Sequence, residues 1–351
     1  MTDIKIIDGD VVNIVQQHLN AIQQGDTQAM FELAQYYEDI KDEENMITYY
    51  LMAADNGNNS AIRQLGNYYR RKKDYEKMKK YYLMAIEKGD PDAMFNMGAY
   101  HSENEDTENM VKYYTMAIEK GHGEAMHAIG EYHFKNRDYE NMQKYYLMAI
   151  EKNVGKAMYS LGAYFHDRGE VENMLQYYLM AIEHGDNDAM FSLGNYYKQC
   201  DDVIRMKRYY LMAIEAGDAG AMFNLGTHYG EQEDYENMIK YYAQAVDKGH
   251  TGAMFNLGLY YEITKDYENM VKYYVMAIEN GNTPAIYNLA VHYFKQKDID
   301  NTIKYCLMAG ETDTINQMLS KLREKAFIKY FIKCEDVLAD ENKKFLLANR
   351  I

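Results

Sequence analysis

The sequence repeats itself every 32 residues, and this period restricts the possible folds more than any other feature. Adjacent tyrosines recur at one phase, without insertion or deletion, from residues 49–50 to residues 273–274. Alanines keep the same period from Ala29 to Ala285. A strict period of this length is typical of solenoids, in which every unit meets its neighbour in the same geometry.

Each unit is predicted to form two amphipathic helices, which we name helix A and helix B. Helix A of the unit 251–282 places small and apolar residues on one helical face, at Ala253, Met254, Leu257, Gly258 and Tyr261. Asp266 then offers a side-chain oxygen to the free N–H groups of a new helix, as an N-cap does. Helix B follows, with four residues facing inward: Met270, Tyr274, Ala277 and Ile278.

A glycine follows helix B in nearly every unit. Because glycine, and after it asparagine, tolerates the left-handed conformation that ends many helices, this position is predicted to be the C′ residue. Small residues in helix A, such as Ala253 and Gly258, are expected to let it pack closely on helix B of the preceding unit. The C′ residues are Gly25, Gly57, Gly89, Gly121, Asn153, Gly185, Gly217, Gly249 and Gly281.

The repeat resembles two related families. The pattern A-M-F-N-L-G-L-Y-Y…D-Y-E-N-M-V-K-Y-Y-V-M-A-I-E, at 253–279, resembles the tetratricopeptide consensus, although the consensus tryptophan of helix A is Met or Ile here. The junction A-I-E-K-G-D-P-D-A-M-F-N-M-G, at 85–98, is similar to the shorter Sel1-like junction. The resemblance covers about residues 17–310, and the recurring YYLMAIEKG also resembles Sel1-like proteins of large DNA viruses of amoebae.

The resemblance implies an all-α fold, a right-handed α-solenoid of nine helix-turn-helix hairpins with capping helices at both ends. The expected organisation is an N-terminal segment and capping helix at 1–26, nine hairpins at 27–314, and C-terminal capping helices at 315–351. Such arrays typically bind peptides or partner proteins and assemble complexes, so the implied function is that of a scaffold or adaptor. A viral protein of this kind would act in the host cytoplasm.

Charge and cysteine content exclude several other classes of function. The 54 acidic and 38 basic residues give a net charge of −16, which repels nucleic acid and anionic lipid. No window of 18 apolar residues occurs, so a membrane protein is not expected. The three cysteines, Cys200, Cys306 and Cys334, lack the spacing of metal ligands, and their odd number favours a reducing, cytoplasmic compartment.

The sequence contains no pattern that indicates catalysis. We find no nucleophile paired with a base, no metal-ligand cluster and no phosphate-binding loop, so neither an enzyme nor a cofactor is predicted. His101 and His133 occupy packing positions that tyrosine holds elsewhere, and His122 and His250 lie in turns.

A partner-binding groove is predicted along helix A, just beside its packing face. Aromatic residues recur there next to small or polar ones, and aromatic side chains provide rigid contact area for an extended peptide. The alternative is that these rings pack against the adjacent helix A. The predicted groove residues are Arg63, Asn67, Phe95, Asn96, His127, Glu131, Tyr159, Phe191, Asn195, Phe223, Thr227 and Phe255.

Some tetratricopeptide domains hold the terminal carboxylate of a partner, and this chain matches their pattern only in part. Arg63, Asn67 and Asn96 stand at corresponding positions, but Glu124 and Ala128 replace the two cations of the third unit. An acid beside a carboxylate is repulsive, so binding of an acidic chain terminus is not expected.

Two alternatives concern the ends of the array. The basic, amphipathic stretch 314–333 is expected to cap the last hairpin, and its alternative role is docking on a membrane or an acidic partner. The segment 11–22 has a similar capping pattern. Self-assembly, either end to end or as a dimer, is the alternative to an adaptor.

Overall fold

The computed structural model describes residues 9–309, whose regular structure consists of 19 α-helices and no strand. The first helix, α1, spans Gly9–Gln23, and the other 18 form nine consecutive hairpins of helix A and helix B. The predicted all-α array of hairpins is therefore confirmed. The A helices are α2 Thr27–Asp39, α4 Asn59–Arg71, α6 Pro91–Glu103, α8 Gly123–Lys135, α10 Gly155–Asp167, α12 Asn187–Gln199, α14 Ala219–Glu231, α16 Thr251–Ile263 and α18 Thr283–Gln296. The B helices are α3 Glu43–Asp55, α5 Tyr75–Glu87, α7 Thr107–Glu119, α9 Tyr139–Glu151, α11 Val171–Glu183, α13 Val203–Glu215, α15 Tyr235–Asp247, α17 Tyr267–Glu279 and α19 Ile299–Ala309.

The chain divides into two compact units, Met1–Asp186 and Asn187–Ile351. From here on, the first unit and the second unit mean these two parts, and a single 32-residue repeat is called a hairpin. Within each unit, helix A packs on helix B of its own hairpin and on helix B of the hairpin before it. Helix α1, which contains the predicted capping segment 11–22, packs against α2. The predicted C-terminal caps, the basic stretch 314–333 and Cys334 lie outside the described residues.

Three-residue connections join the described helices except α18 and α19, which two residues join. One residue in each connection helps to close one helix and open the next. Between α2 and α3, the N–H of Lys41 donates to the carbonyl of Glu38 and the N–H of Asp42 to that of Tyr37, which is the Schellman arrangement. Asp42 is also the N-cap of α3. Helices of 13 residues alternating with such connections explain the 32-residue period.

Left-handed residues stand in both kinds of connection. The predicted C′ residues after helix B are confirmed, because the eight glycines have φ between 79° and 91° and Asn153 has φ 59°. The connection from helix A to helix B also contains a positive-φ residue, which glycine occupies only at Gly169. Elsewhere in the described hairpins these residues are Lys41, Lys73, Glu105, Arg137, Asp201, Glu233, Lys265 and Lys297.

The predicted N-cap of helix B is confirmed and has a second contact. The Asp266 carboxylate accepts from the N–H of Asn269 at 3.2 Å, and the Asn269 amide donates back to the same carboxylate at 2.8 Å. Each contact satisfies a polar group at the helix start. The pKa of Asp266 is held below its usual value mainly by the Asn269 amide.

Glycine in helix A makes room for a buried tyrosine of the same hairpin. A Cβ added at Gly258 would lie 2.4 Å from Cδ1 of Tyr274, and the equivalent atoms at Gly194 and Tyr210 are also 2.4 Å apart. The prediction that Gly258 makes room for helix B of the preceding hairpin is wrong. The helical pattern indicates that this face is buried but does not distinguish the two B helices that it could meet.

A pair of parallel rings joins the two helices of every described hairpin. The ring centroids are 5.4 to 5.6 Å apart and the planes differ by 1° to 12°. His101 and His133 replace the helix A tyrosine in two pairs, as their predicted packing role requires. The pairs are Tyr37–Tyr49, Tyr69–Tyr81, His101–Tyr113, His133–Tyr145, Phe165–Tyr177, Tyr197–Tyr209, Tyr229–Tyr241, Tyr261–Tyr273 and Tyr293–Tyr305.

Candidate functional site

Within each of the two units, the predicted groove residues lie on one side of the A helices, which we call the helix A face. The half-buried residues of this face fall into two rows, one mainly aromatic and one of small or polar residues four positions later. In sequence order, the first row contains Phe31, Arg63, Phe95, His127, Tyr159, Phe191, Phe223, Phe255 and Tyr287, of which Tyr287 is 39% exposed.

The aromatic rings of this face rest on the buried tyrosines of helix B. Phe95 lies 5.5 Å from Tyr114 and Phe223 lies 5.6 Å from Tyr242, measured between ring centroids. Equivalent contacts are made by Phe31, His127, Tyr159, Phe191 and Phe255. Each ring is thus supported from below within its own hairpin and keeps part of its surface accessible. These contacts are with helix B, whereas the alternative concerns the adjacent helix A, which Phe95 and Phe223 approach by stacking on His122 and His250, the residues that precede it.

A hydrogen-bonded ladder runs beside the rings. In the first unit, the Tyr82 hydroxyl donates to Oδ1 of Asn67 at 2.7 Å, and the Asn96 amide of the next hairpin donates to the same oxygen at 3.0 Å. The second unit repeats this arrangement with Tyr210, Asn195 and Asn224 at 2.7 and 2.9 Å. Thr227 likewise contacts the Tyr242 hydroxyl at 3.0 Å. These predicted groove residues hold buried hydroxyls and link successive repeats.

Arg63 occupies an aromatic position but is engaged by acids of the next hairpin. Its Nη1 lies 2.8 Å from Asp92, and its Nε, which is buried and has no well-aligned hydrogen bond, lies 3.3 Å from Asp90. A guanidinium held by two carboxylates is a poor clamp for a third. This contact supports the expectation that the face does not bind an acidic chain terminus.

A polar cluster interrupts the aromatic row in the first unit. Glu131 accepts hydrogen bonds from the hydroxyls of Tyr146 and Ser160, the latter at 3.1 Å, and His127 Nε2 lies 3.1 Å from Ser160 Oγ. The hydrogen bond from His127 is the main cause of the lowered pKa of Glu131, which falls to about 2. Burial, followed by the Glu131 contact, raises the pKa of Tyr146.

This cluster is not arranged to activate a nucleophile. The Ser160 hydrogen is directed at the carboxylate, so its oxygen accepts from His127, whereas a catalytic histidine must accept from the serine. Glu131 also contacts the same nitrogen, Nε2, at 3.4 Å, and does not orient the other side of the ring. Among the described residues, no three His, Cys, Asp or Glu side chains are grouped to hold a metal ion.

His122 and His250 are N-caps of helix A, a role that the sequence did not indicate. Nδ1 of each ring accepts from the backbone, from Ala125 at 3.1 Å and from Ala253 at 3.2 Å. The His250 ring also stacks on Phe223 with centroids 4.5 Å apart. A cap of this kind requires the neutral imidazole with its proton on Nε2.

The His250 cap predicts a pH-dependent stability. Burial lowers the pKa of His250, so the folded chain binds fewer protons there than the unfolded chain, whose pKa is about 6.5. The contribution of the cap is complete above this value and is lost as the pH falls toward the folded pKa. We expect wild-type protein to lose more free energy of unfolding between about pH 7.5 and pH 5 than the variant His250→Asn.

The control for this prediction is built into the repeat, because Asn58 and Asn282 cap their helices through the same backbone N–H. Urea denaturation across the pH range gives the two curves. Parallel curves for wild type and His250→Asn would contradict the prediction.

Comparison with known proteins finds one family of repeats in three segments of the chain. The tetratricopeptide repeat model matches residues 64–87, 219–247 and 251–280. No curated protein matches the sequence significantly. None of the helices between residues 9 and 309 has the length and apolar character needed to span a bilayer.

Two solved structures are similar over most of the chain. A Sel1 repeat protein from Oxalobacter formigenes has a TM-score of 0.60 and 20% identity, with 84% of this chain and 96% of that chain covered. The protective antigen c5321 of uropathogenic Escherichia coli, which displays the same repeat fold, has a TM-score of 0.57 and 22% identity, with 84% and 71% covered. The predicted resemblance to tetratricopeptide and Sel1-like repeats is confirmed, and at these identities the likeness concerns the fold.

Proposed function

We propose that this chain, which carries tetratricopeptide repeats in a Sel1-repeat fold, is a non-enzymatic scaffold that binds a protein or peptide on its helix A face. One observation carries the proposal: within each unit, aromatic rings recur on the same helix of successive hairpins, and each is packed on a buried tyrosine of its own hairpin while remaining partly exposed. Rigid aromatic rings lose little conformational freedom when a partner covers them, which makes them efficient contact residues.

The hydrogen-bonded ladder limits which residues of this face can recognise a partner. Asn67, Asn195 and Thr227 are engaged with buried tyrosine hydroxyls, so they are less available to read a ligand than the sequence suggested. Recognition therefore depends mainly on apolar and aromatic side chains of the partner, laid along the row of rings. An extended segment fits a row that repeats at constant intervals better than a compact, deep-pocket ligand does.

The cysteines support a reducing location for this scaffold. Cys200 is exposed and Cys306 is buried, and both are free thiols. Burial raises the pKa of the Cys306 thiol to about 11, which leaves it protonated and unreactive at neutral pH. We therefore propose that the protein acts in the cytoplasm.

A single charged substitution on the helix A face tests the proposed function. Arg63 shows that an arginine fits this position, and Asp218 stands in the hairpin after Phe191 where Asp90 stands after Arg63. Phe191→Arg should therefore fold while removing one ring from the row. We expect binding of the native partner to weaken at least about tenfold, as for a hot-spot residue.

Leu211→Arg is the matched control, because Leu211 lies in the same hairpin on helix B and is 41% exposed. The partner is first recovered from the native cell with wild-type protein, and its affinity for each variant is then measured by titration. Far-UV circular dichroism and urea denaturation establish that both variants fold. Equal binding by the two variants, or a loss with Leu211→Arg alone, would overturn the proposal.

A further inference from the structure

A second repeating surface lies on the B helices of the first unit, on a side that the proposed partner does not use. Its centre is a row of apolar residues separated by the period of the repeat. Leu83 is 43% exposed, Leu147 is 43% exposed and Leu179 is 42% exposed, and Thr115 occupies the same position in the hairpin between the first two. Single exposed leucines are ordinary, but a row of them on neighbouring helices makes an apolar stripe, here interrupted once by Thr115.

A basic row and an acidic row flank this stripe. Three positions before the stripe stand Lys80, Lys112 and Lys144, and four positions after it stand Glu87, Glu119, Glu151 and Glu183. On an α-helix both positions lie near the same face as the central residue, one toward each helix end. All seven charged side chains are exposed. The first unit therefore presents three parallel rows across its B helices, which we call the helix B stripe.

The charges of the helix B stripe have no partner of opposite sign among the described residues. No ion pair within 4 Å joins either row to another residue between 9 and 309, although ion pairs connect hairpins elsewhere, as Arg70 and Glu103 do. The lysines instead lie over neighbouring rings, with Lys112 Nζ 5.3 Å from the centre of Tyr113 and Lys144 Nζ 5.6 Å from that of Tyr145. These contacts hold the cations in register on the surface.

The acidic row also stands at the helix end where a negative charge is unfavourable. Glu87, Glu119, Glu151 and Glu183 are the last residues of their helices, where the negative end of the helix dipole disfavours an acid. No basic residue stands in the last turn of these four helices. The repeated choice of an acid there does not stabilise the helix itself.

We infer that the helix B stripe is a self-complementary interface for a second copy of this chain. A two-fold axis that lies in the interface, parallel to the three rows, reverses their order, so that the lysine row of one copy faces the glutamate row of the other. The same rotation lays the leucine row on its own equivalent. This is the arrangement that an isologous dimer requires.

Charge complementarity favours this occupant over others. An anionic lipid surface would attract the lysine row but is repelled by the acidic row beside it. A peptide of one sign matches only one of the two rows. A second copy offers a glutamate to every lysine and has the same repeat spacing, so every hairpin of the stripe meets an equivalent hairpin. Glu183 faces Gln176 in that arrangement.

Light scattering coupled to size-exclusion chromatography tests the inference with the full-length chain. We expect wild-type protein to have a molar mass near twice 41.1 kDa at low salt and to dissociate as salt increases. Thr115→Leu fills the gap in the apolar row of both copies and should tighten the dimer about tenfold or more. A mass of 41.1 kDa at every concentration up to about 100 μM, for wild type and Thr115→Leu alike, would overturn the inference.

Charge reversal identifies the surface. A triple variant Glu87→Lys, Glu119→Lys, Glu151→Lys and a second triple variant Lys80→Glu, Lys112→Glu, Lys144→Glu should each be monomeric, and their mixture should form heterodimers. The matched control reverses three acids at the same helix position in the second unit, by Glu215→Lys, Asp247→Lys and Glu279→Lys, and should dimerise as wild type does. Failure of the mixture to associate, or loss of the dimer in the control, would contradict the proposed surface.

Discussion

Gly194→Val should lower the free energy of unfolding by about 3 kcal/mol, because the added side chain has no space in its hairpin. Even the first added carbon would lie 2.4 Å from Cδ1 of Tyr210, well inside van der Waals contact. Tyr210 is fully buried and its hydroxyl is bonded to Asn195 at 2.7 Å, so the ring cannot move aside without losing that bond. Replacing glycine improves helix propensity by less than about 1 kcal/mol, and the clash therefore decides the sign.

The first hairpin provides the control for this prediction. Ala34 stands there at the position that is Gly194 in the sixth hairpin, and it is fully buried. Ala34→Gly relieves no clash and should cost only about 1 kcal/mol through helix propensity. Urea denaturation followed by circular dichroism gives both values, and hydrogen exchange in α12 and α13 localises the damage. If Gly194→Val were as mild as Ala34→Gly, close packing of Tyr210 on helix A would not be the source of hairpin stability.

Tyr210→Ala should be at least as damaging, with an expected loss of about 4 kcal/mol. The tyrosine is completely buried between the two helices of its hairpin, where it contacts Gly194 and Phe191 and reaches the amides of Asn195 and Asn224. Its removal leaves a cavity and also leaves both amides short of a partner. In a solenoid this weakens one hairpin and its contacts with adjacent hairpins, so the second unit should unfold at lower urea concentration.

Removing only the hydroxyl separates packing from hydrogen bonding. Tyr210→Phe keeps the ring and should cost about 1 kcal/mol, because the Asn195 oxygen loses one of its two donors and keeps the Asn224 amide. In the third hairpin the acceptor position is Ala99, so Tyr114→Phe breaks no equivalent bond and should change the urea midpoint little. Equal losses in the two phenylalanine variants would show that the hydrogen-bonded ladder does not contribute to stability.

The sequence predicts those features that a residue type encodes at a fixed phase. The period, the two helices and the C′ glycines are all of this kind, and even Asn153 adopts the left-handed conformation that its position requires. The backbone conformation of the turn from helix A to helix B was harder to predict. It carries left-handed residues such as Lys73 and Glu105, whose side chains give no sign of positive φ.

The helix A face was predicted as a set of positions, but the roles of its members depended on tertiary contacts. Nothing local to Asn67 shows that its oxygen accepts from Tyr82, 15 residues later, or that Arg63 meets acids of the following hairpin. His250 was assigned to a turn, and only its position before α16 and its distance to the Ala253 N–H make it a cap. A recurring acceptor 15 residues before a buried tyrosine is a signal that could be sought in other arrays.

The three-residue connections restrict the lengths that this array can take. The residue that closes one helix is followed at once by the residue that opens the next, so a residue added to or lost from one of the described three-residue connections would shift the register of the hairpins after it. Stacked ring pairs, hydroxyl ladders and charge rows all depend on that register. An array of this design changes in length by whole hairpins, and the contacts between neighbouring hairpins within a unit then keep their geometry.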